Sequence, residues 1–225
     1  MVGAEKLAFL DGYLFRVMVD MLRSTGTEAS GLYDFYKARI EQEGTALSGY
    51  DRILFEYVRA SFDPAERRVV HAGIGLGTLA SALALGRFNV SGLERDGARF
   101  GAATRIRSAL ADIWPAAAQR YDLMAGSFPT ALLDTSWIAP RTILIFTNCG
   151  SGWSDEFTDD ATALFPRFGD IILDARLFGR VREIPEERDA LIAKIEAQGL
   201  AVKPIPKTNP LGAYYYHMRH HQDGP

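Results

Sequence analysis

The chain has 225 residues, enough for one substantial domain or a domain with a helical appendage, and long enough to bury a real core. Hydrophobic residues at 48% and charged residues at 24% exclude a disordered or fibrous architecture. The net charge of -3 argues against a broad nucleic-acid-binding face, and the local cluster Arg99, Arg105 and Arg107 reads as a solvated helix face.

From Lys6 to Arg23 the apolar residues Leu7, Leu10, Leu14, Val17, Met18 and Met21 recur at helical spacing, predicting an amphipathic helix closed by Ser24, Thr25 and Gly26. Acidic residues interrupt this start where a secretory leader needs an unbroken apolar run, and no segment approaches the roughly 20 apolar residues of a membrane span. The expectation is a cytoplasmic protein with no membrane partner. The same periodicity lets the helix pack on its own core or on a second copy, as in a homodimer. Two further helices are expected over Leu32 to Glu43 and Gly49 to Ser61, separated at Gly44 and stopped by Asp63-Pro64. Residues 1-62 are therefore expected to form a helical extension or lid, and 63-225 the core.

At Arg67 the pattern changes. RRVVHAGIGLG is a β-branched run entering a glycine turn, and TLASALALG after it is a helix stopped by Gly86. FNVSGLERD is a second strand ending in acids, followed by a helix from Gly97 to about Trp114 that Pro115 breaks. YDLMAGSFP is a third strand leaving at Gly126. TILIFTNCG is a fourth, apolar enough to be buried on both faces as parallel strands are. SDEFTDDATALFPRF carries helical spacing, and GDIILDARLF is a fifth strand. IPEERDALIAKIEAQG is a helix opening at Pro185 and ending at Gly199. LAVKPIPKTNPLGAYYYHMRH reads as two extended pieces joined at Asn209, Pro210 and Gly212. Strands alternating with helices imply an α/β class with a doubly wound, mostly parallel sheet and a C-terminal antiparallel hairpin, with ligands at the carboxyl ends of the strands.

Those ends carry the chemistry. His71-Ala72-Gly73-Ile74-Gly75-Leu76-Gly77-Thr78 puts glycines at alternate positions between a strand and a helix, where the backbone can turn tightly and approach a ligand beside the helix's free N–H groups. A dinucleotide fingerprint wants its third glycine where Thr78 stands, so the loop is less suited to a pyrophosphate. The second strand ends at Glu94, where a carboxylate can accept both ribose hydroxyls of an adenosine, with Arg95 next to it. The third ends in Gly126-Ser127-Phe128, offering a small polar group to an adenine edge and a ring to its face.

From about Arg67 onward, these residues resemble the class I S-adenosyl-L-methionine-dependent methyltransferases, which have a Rossmann-like fold. The resemblance implies that Gly73, Gly75 and Gly77 bracket the methionine part of the cofactor, Glu94 binds ribose, and Ser127 with Phe128 borders adenine. It sets His71 where the family usually has an acid, and Ser127 where an aspartate is common. The order GLERD, GSFP, TILIFTNCGSGW, GDIILDARLF is also similar to the catalytic core of the disruptor-of-telomeric-silencing type of lysine methyltransferase, whose fourth-strand asparagine Asn148 would match.

For catalysis the candidates are Asn148, which could orient the methyl acceptor or cap the following loop, and Asp155, a general base or a solvated loop acid beside Trp153. Cys149, the one cysteine, leaves no internal disulfide and no multi-thiolate zinc site, and reads as a buried small residue in a reducing compartment. His217, His220 and His221 fall in the last nine residues and His71 stands alone, so no metal site is expected; His217 is a candidate base only if its strand borders the pocket. Tyr33, Tyr36 and Tyr50 could line a lid or pack in the core. The acceptor is a small molecule or a protein side chain, since the fourth strand lacks the Asn/Asp-Pro-Pro-aromatic motif of nucleic-acid amino-methyltransferases. Two other classes stay open: a partner-binding protein without catalysis, and a nicotinamide-dependent oxidoreductase, against which Thr78 and the missing Tyr-x-x-x-Lys pair both count.

Overall fold

A stripe of leucine and methionine decides the first helix. In α1 (Ala4–Arg23), Leu7, Leu10, Leu14, Met18, Met21 and Leu22 are buried along one face, as the 3.6-residue period requires. Each such side chain contributes about 1.5–3 kcal/mol on leaving water. The computed structural model describes residues 3–24, 31–133, 135–136, 138–146, 160–161, 163–174, 185–205 and 215–220. No described helix is long and apolar enough to cross a membrane.

The second predicted helix forms in two parts: α2 (Leu32–Ala38) continues as a π-helical turn over Arg39–Glu43, ended by Gly44. The third matches its expected bounds. In α3 (Gly49–Ser61), the Ser48 hydroxyl accepts from the Asp51 N–H at 3.1 Å, and the Asp51 carboxylate accepts from the Ser48 N–H at 3.0 Å. This reciprocal cap satisfies two N–H groups that an α-helix otherwise leaves unpaired. Asp11, buried in the apolar stripe of α1, accepts from the Leu47 N–H at 2.7 Å and from Arg52 at 2.6 Å, so α1 is tied to the start of α3.

Beyond this region strands and helices alternate: β1 (Arg68–Ala72), α4 (Thr78–Leu85), β2 (Asn89–Glu94), α5 (Gly97–Ile113), α6 (Pro115–Ala118), β3 (Tyr121–Ala125), β4 (Thr142–Phe146), β5 (Asp170–Asp174), α7 (Pro185–Glu196), β6 (Leu200–Pro204) and β7 (Tyr215–His220). Pro115 opens the short helix α6 after ending α5, because the first turn of a helix loses nothing when an N–H is missing. The sheet has seven strands in the order β3-β2-β1-β4-β5-β7-β6. β2 with β3, β1 with β4, and β4 with β5 pair in parallel, while β7 pairs antiparallel with both β5 and β6. All five residues of β4 are buried, as its unbroken apolar run requires.

By its contacts the chain divides into two units, residues 1–67 with 74–126, and residues 68–73 with 127–225. The first is built around Phe55, Phe88 and Tyr121, the second around Phe165, Phe168 and Tyr215, all fully buried.

Candidate functional site

In the first unit the glycine loop is held by its own backbone. The Ile74 N–H donates to the Leu93 carbonyl at 3.2 Å, and the Gly77 N–H donates to the Ile74 carbonyl at 2.9 Å, so the turn is tied to β2 before α4 begins at the buried Thr78. Gly75 and Gly77 have φ of 58° and 74°, in the left-handed region where a side chain is strained. Space excludes a side chain too. A Cβ on Gly75 would lie 2.5 Å from the Tyr36 hydroxyl, and one on Gly77 would overlap the Tyr121 hydroxyl and stand 3.1 Å from its ring carbon.

Glu94, at the end of β2, is 4% exposed. Its Oε2 accepts from the Gly75 N–H at 2.9 Å, and its Oε1 accepts from the Arg95 and Asp96 N–H groups, both at 3.0 Å. A carboxylate has about four acceptor positions, so three are filled by backbone and about one, on Oε2, is left for a ligand. The bidentate hold on two ribose hydroxyls that the strand-end position suggests is therefore narrowed to a single acceptor. Arg95 contributes its backbone N–H while its side chain is exposed. Asp96 caps α5, accepting from the Arg99 N–H at 2.9 Å. The Gly126 N–H donates to the Glu94 carbonyl at 3.0 Å, which sets the end of β3 beside the end of β2.

Of the three N-terminal tyrosines, Tyr36 alone reaches the loop. Its ring is buried and its hydroxyl is pushed up to about 12, first by burial, with Glu94 adding to the effect while Arg99 and Arg39 oppose it. Tyr33 turns outward to donate to Glu41 at 2.8 Å, and Tyr50 is exposed.

Tyr121 escaped the sequence-based expectations. It begins β3 and its ring fills the space left beside Gly92, where a Cβ would meet Ile74 at 3.0 Å and the Tyr121 ring at 3.1 Å. Its hydroxyl is buried and has no hydrogen-bond partner among the described residues, and burial raises its pKa far above that of a free phenol. The available signal was Gly92 itself, since a glycine inside a strand marks a close approach.

In the second unit, His71 lies within β1 opposite Ile145, 4% exposed, and burial holds its imidazole down to about 4, so it is neutral near pH 7. Gly73 follows with φ 69°. Ser127 is exposed, and its carbonyl accepts from the Ala131 N–H at 2.8 Å. Phe128 is buried with its ring 4.5 Å from that of Phe146 at the end of β4. His217 pairs with Asp170 at the first position of β5, away from the carboxyl ends of the parallel strands. Asn148, Cys149, Trp153 and Asp155 lie outside the described residues. Among the described residues no three His, Cys, Asp or Glu side chains converge as metal ligands would.

No protein-family model and no curated protein sequence matches the chain. Solved structures do. The methyltransferase domain of bacterial CtHen1-C superposes with a TM-score of 0.57 at 13% identity, over 76% of this chain and 97% of that one. A TehB-like SAM-dependent methyltransferase from Corynebacterium glutamicum gives 0.53 at 14% identity, over 86% and 99%. An O-methyltransferase from Bacillus cereus, solved in complex with SAH, gives 0.53 at 13% identity, over 96% and 100%. The chain thus has the Rossmann-like fold of class I methyltransferases.

Proposed function

We propose that this chain, whose fold is shared with S-adenosylmethionine-dependent methyltransferases, binds S-adenosylmethionine and transfers its methyl group to a small-molecule or protein acceptor in the cytoplasm. The observation that carries the proposal is the buried Glu94 carboxylate. It is held by three backbone N–H groups beside a left-handed glycine turn and keeps one acceptor position open. That cradle suits an adenosine: a fixed carboxylate at the strand end accepts from a ribose hydroxyl, beside the left-handed glycine turn that leads into α4.

When bound, the cofactor supplies an electrophilic methyl group on a sulfonium. The chain's own residues then bind and orient. Gly73, Gly75 and Gly77 bracket the methionine part, Glu94 accepts from ribose, and Ser127 with Phe128 borders adenine. His71, Thr78, Arg95 and Asn148 complete the cofactor-binding set. Residues 1–62 serve as a lid on the core formed by 63–225. Asn148 orients the acceptor, and Asp155 takes a proton where the acceptor is an alcohol or ammonium; catalysis rests mainly on alignment.

Calorimetric titration of the full chain with S-adenosylmethionine, S-adenosylhomocysteine and NAD tests this, with a Glu94→Gln variant alongside. Saturable binding of the two sulfur ligands that weakens about tenfold or more in the variant is the expected result. Binding of NAD alone would favour an oxidoreductase. Binding of none would leave a partner-binding protein, and cofactor binding with no turnover over an acceptor screen would leave a binder without catalysis.

A further inference from the structure

One polar group at the glycine loop has no task in the proposal above. Tyr36 is 7% exposed, and its hydroxyl points at Gly75, the residue whose N–H is bonded to Glu94. Among the described residues no group hydrogen-bonds that hydroxyl, and the phenol stays protonated near pH 7. The hydroxyl is held at the loop with its donor capacity unused by the described residues, so it can donate to a ligand oxygen beside Gly75.

The placement of Tyr36 is built. The Arg39 guanidinium lies 5.5 Å from its ring centre, and the Phe35 ring stands edge-on to it at 4.9 Å. Phe35 in turn carries the Arg99 guanidinium, from the first turn of α5, at 4.2 Å. Arg39 is itself fixed, donating to the Ala46 carbonyl at 3.1 Å and standing 3.7 Å from Asp51. The segment 32–43 that bears Tyr36 is bounded by Gly31 and Gly44, with φ of 71° and 63° and nothing within 4 Å of where a Cβ would stand.

Resting on the cofactor reading, we propose that Tyr36 is a cofactor-contacting residue, its hydroxyl donating to an oxygen of the bound ligand where the glycine loop meets Glu94. Segment 32–43 is then part of the binding site, and ligand binding holds it in place.

The test uses the full chain and S-adenosylhomocysteine. Wild type and Tyr36→Phe are titrated, and urea unfolding of both without ligand shows whether the variant keeps its fold. Backbone hydrogen exchange over residues 32–43 is followed with and without ligand. Tyr36→Phe is expected to raise the Kd about tenfold, the worth of one hydrogen bond, with its urea-unfolding midpoint close to that of wild type. Ligand slows exchange over 32–43 in wild type and does so less in Tyr36→Phe. Unchanged affinity in Tyr36→Phe, or no ligand-dependent protection of 32–43 in wild type, overturns the proposal while leaving the cofactor reading intact. Failure of wild type to bind the ligand at all overturns both.

Discussion

Three backbone N–H groups rest on the Glu94 carboxylate, so any substitution there disturbs the fold as well as the ligand. Glu94→Gln places an amide N–H₂ among donors and is expected to lower stability by about 1–3 kcal/mol, measured by urea unfolding without ligand. Affinity loss in this variant is therefore read only at temperatures where it is folded. Tyr121 behaves in the opposite way: its hydroxyl has no partner among the described residues, so Tyr121→Phe is expected to leave the unfolding free energy unchanged or raise it by up to about 1 kcal/mol. At this scale sequence indicates which positions matter better than what they do. Glu94 was legible because a strand end fixes where a carboxylate stands. The choice among Tyr33, Tyr36 and Tyr50 was not, because helical spacing does not say which ring meets a loop forty residues further on.

Besides the backbone pairing of β7 with β5, one carboxylate ties the two strands together through side chains. Asp170, 1% exposed, accepts from His217 at 2.8 Å and from Arg219 at 2.7 Å. Burial pushes its pKa up, but the hydrogen bonds from His217 and Arg219 outweigh burial and hold it below the ordinary carboxylate value. The ionised form is thus favoured in the fold. Its stabilisation is present above the unfolded carboxylate pKa of about 3.9 and is lost as pH falls further. Asp170→Asn is expected to cost about 1–3 kcal/mol at pH 7 and to flatten the acid limb of the unfolding curve below about pH 4. Most elements were legible because apolar periodicity and glycine or proline stops mark them, α3 to the residue. The π-turn after Ala38 was not, since its sequence keeps helical spacing, and the second role of Pro115 depends on the turn that follows it.

Across the whole molecule, His71 makes stability depend on pH well above the carboxylate range. Its imidazole titrates near 4 in the fold against 6.5 in the unfolded chain, so the unfolded state binds the extra proton between those values. Stability is full above about pH 6.5 and falls by about 3 kcal/mol as pH drops to 4. Replacing His71 with Phe is expected to remove that slope, as measured by urea unfolding at a series of pH values. The fold class was legible from alternation of strands and helices, and the antiparallel hairpin from its turn residues. Strand order was not, because the pairing of β1 with β4 joins segments about seventy residues apart whose apolar patterns would fit several neighbours.

The ring of Tyr121 beside Gly92 and its hydroxyl against Gly77 bind three distant positions into one steric unit. Across related chains, these positions should covary. A chain that carries alanine or serine at 92 needs a smaller residue at both 74 and 121, whereas one that keeps tyrosine keeps both glycines. The glycine at 77 would then record an ancestral packing choice as much as any demand of a ligand.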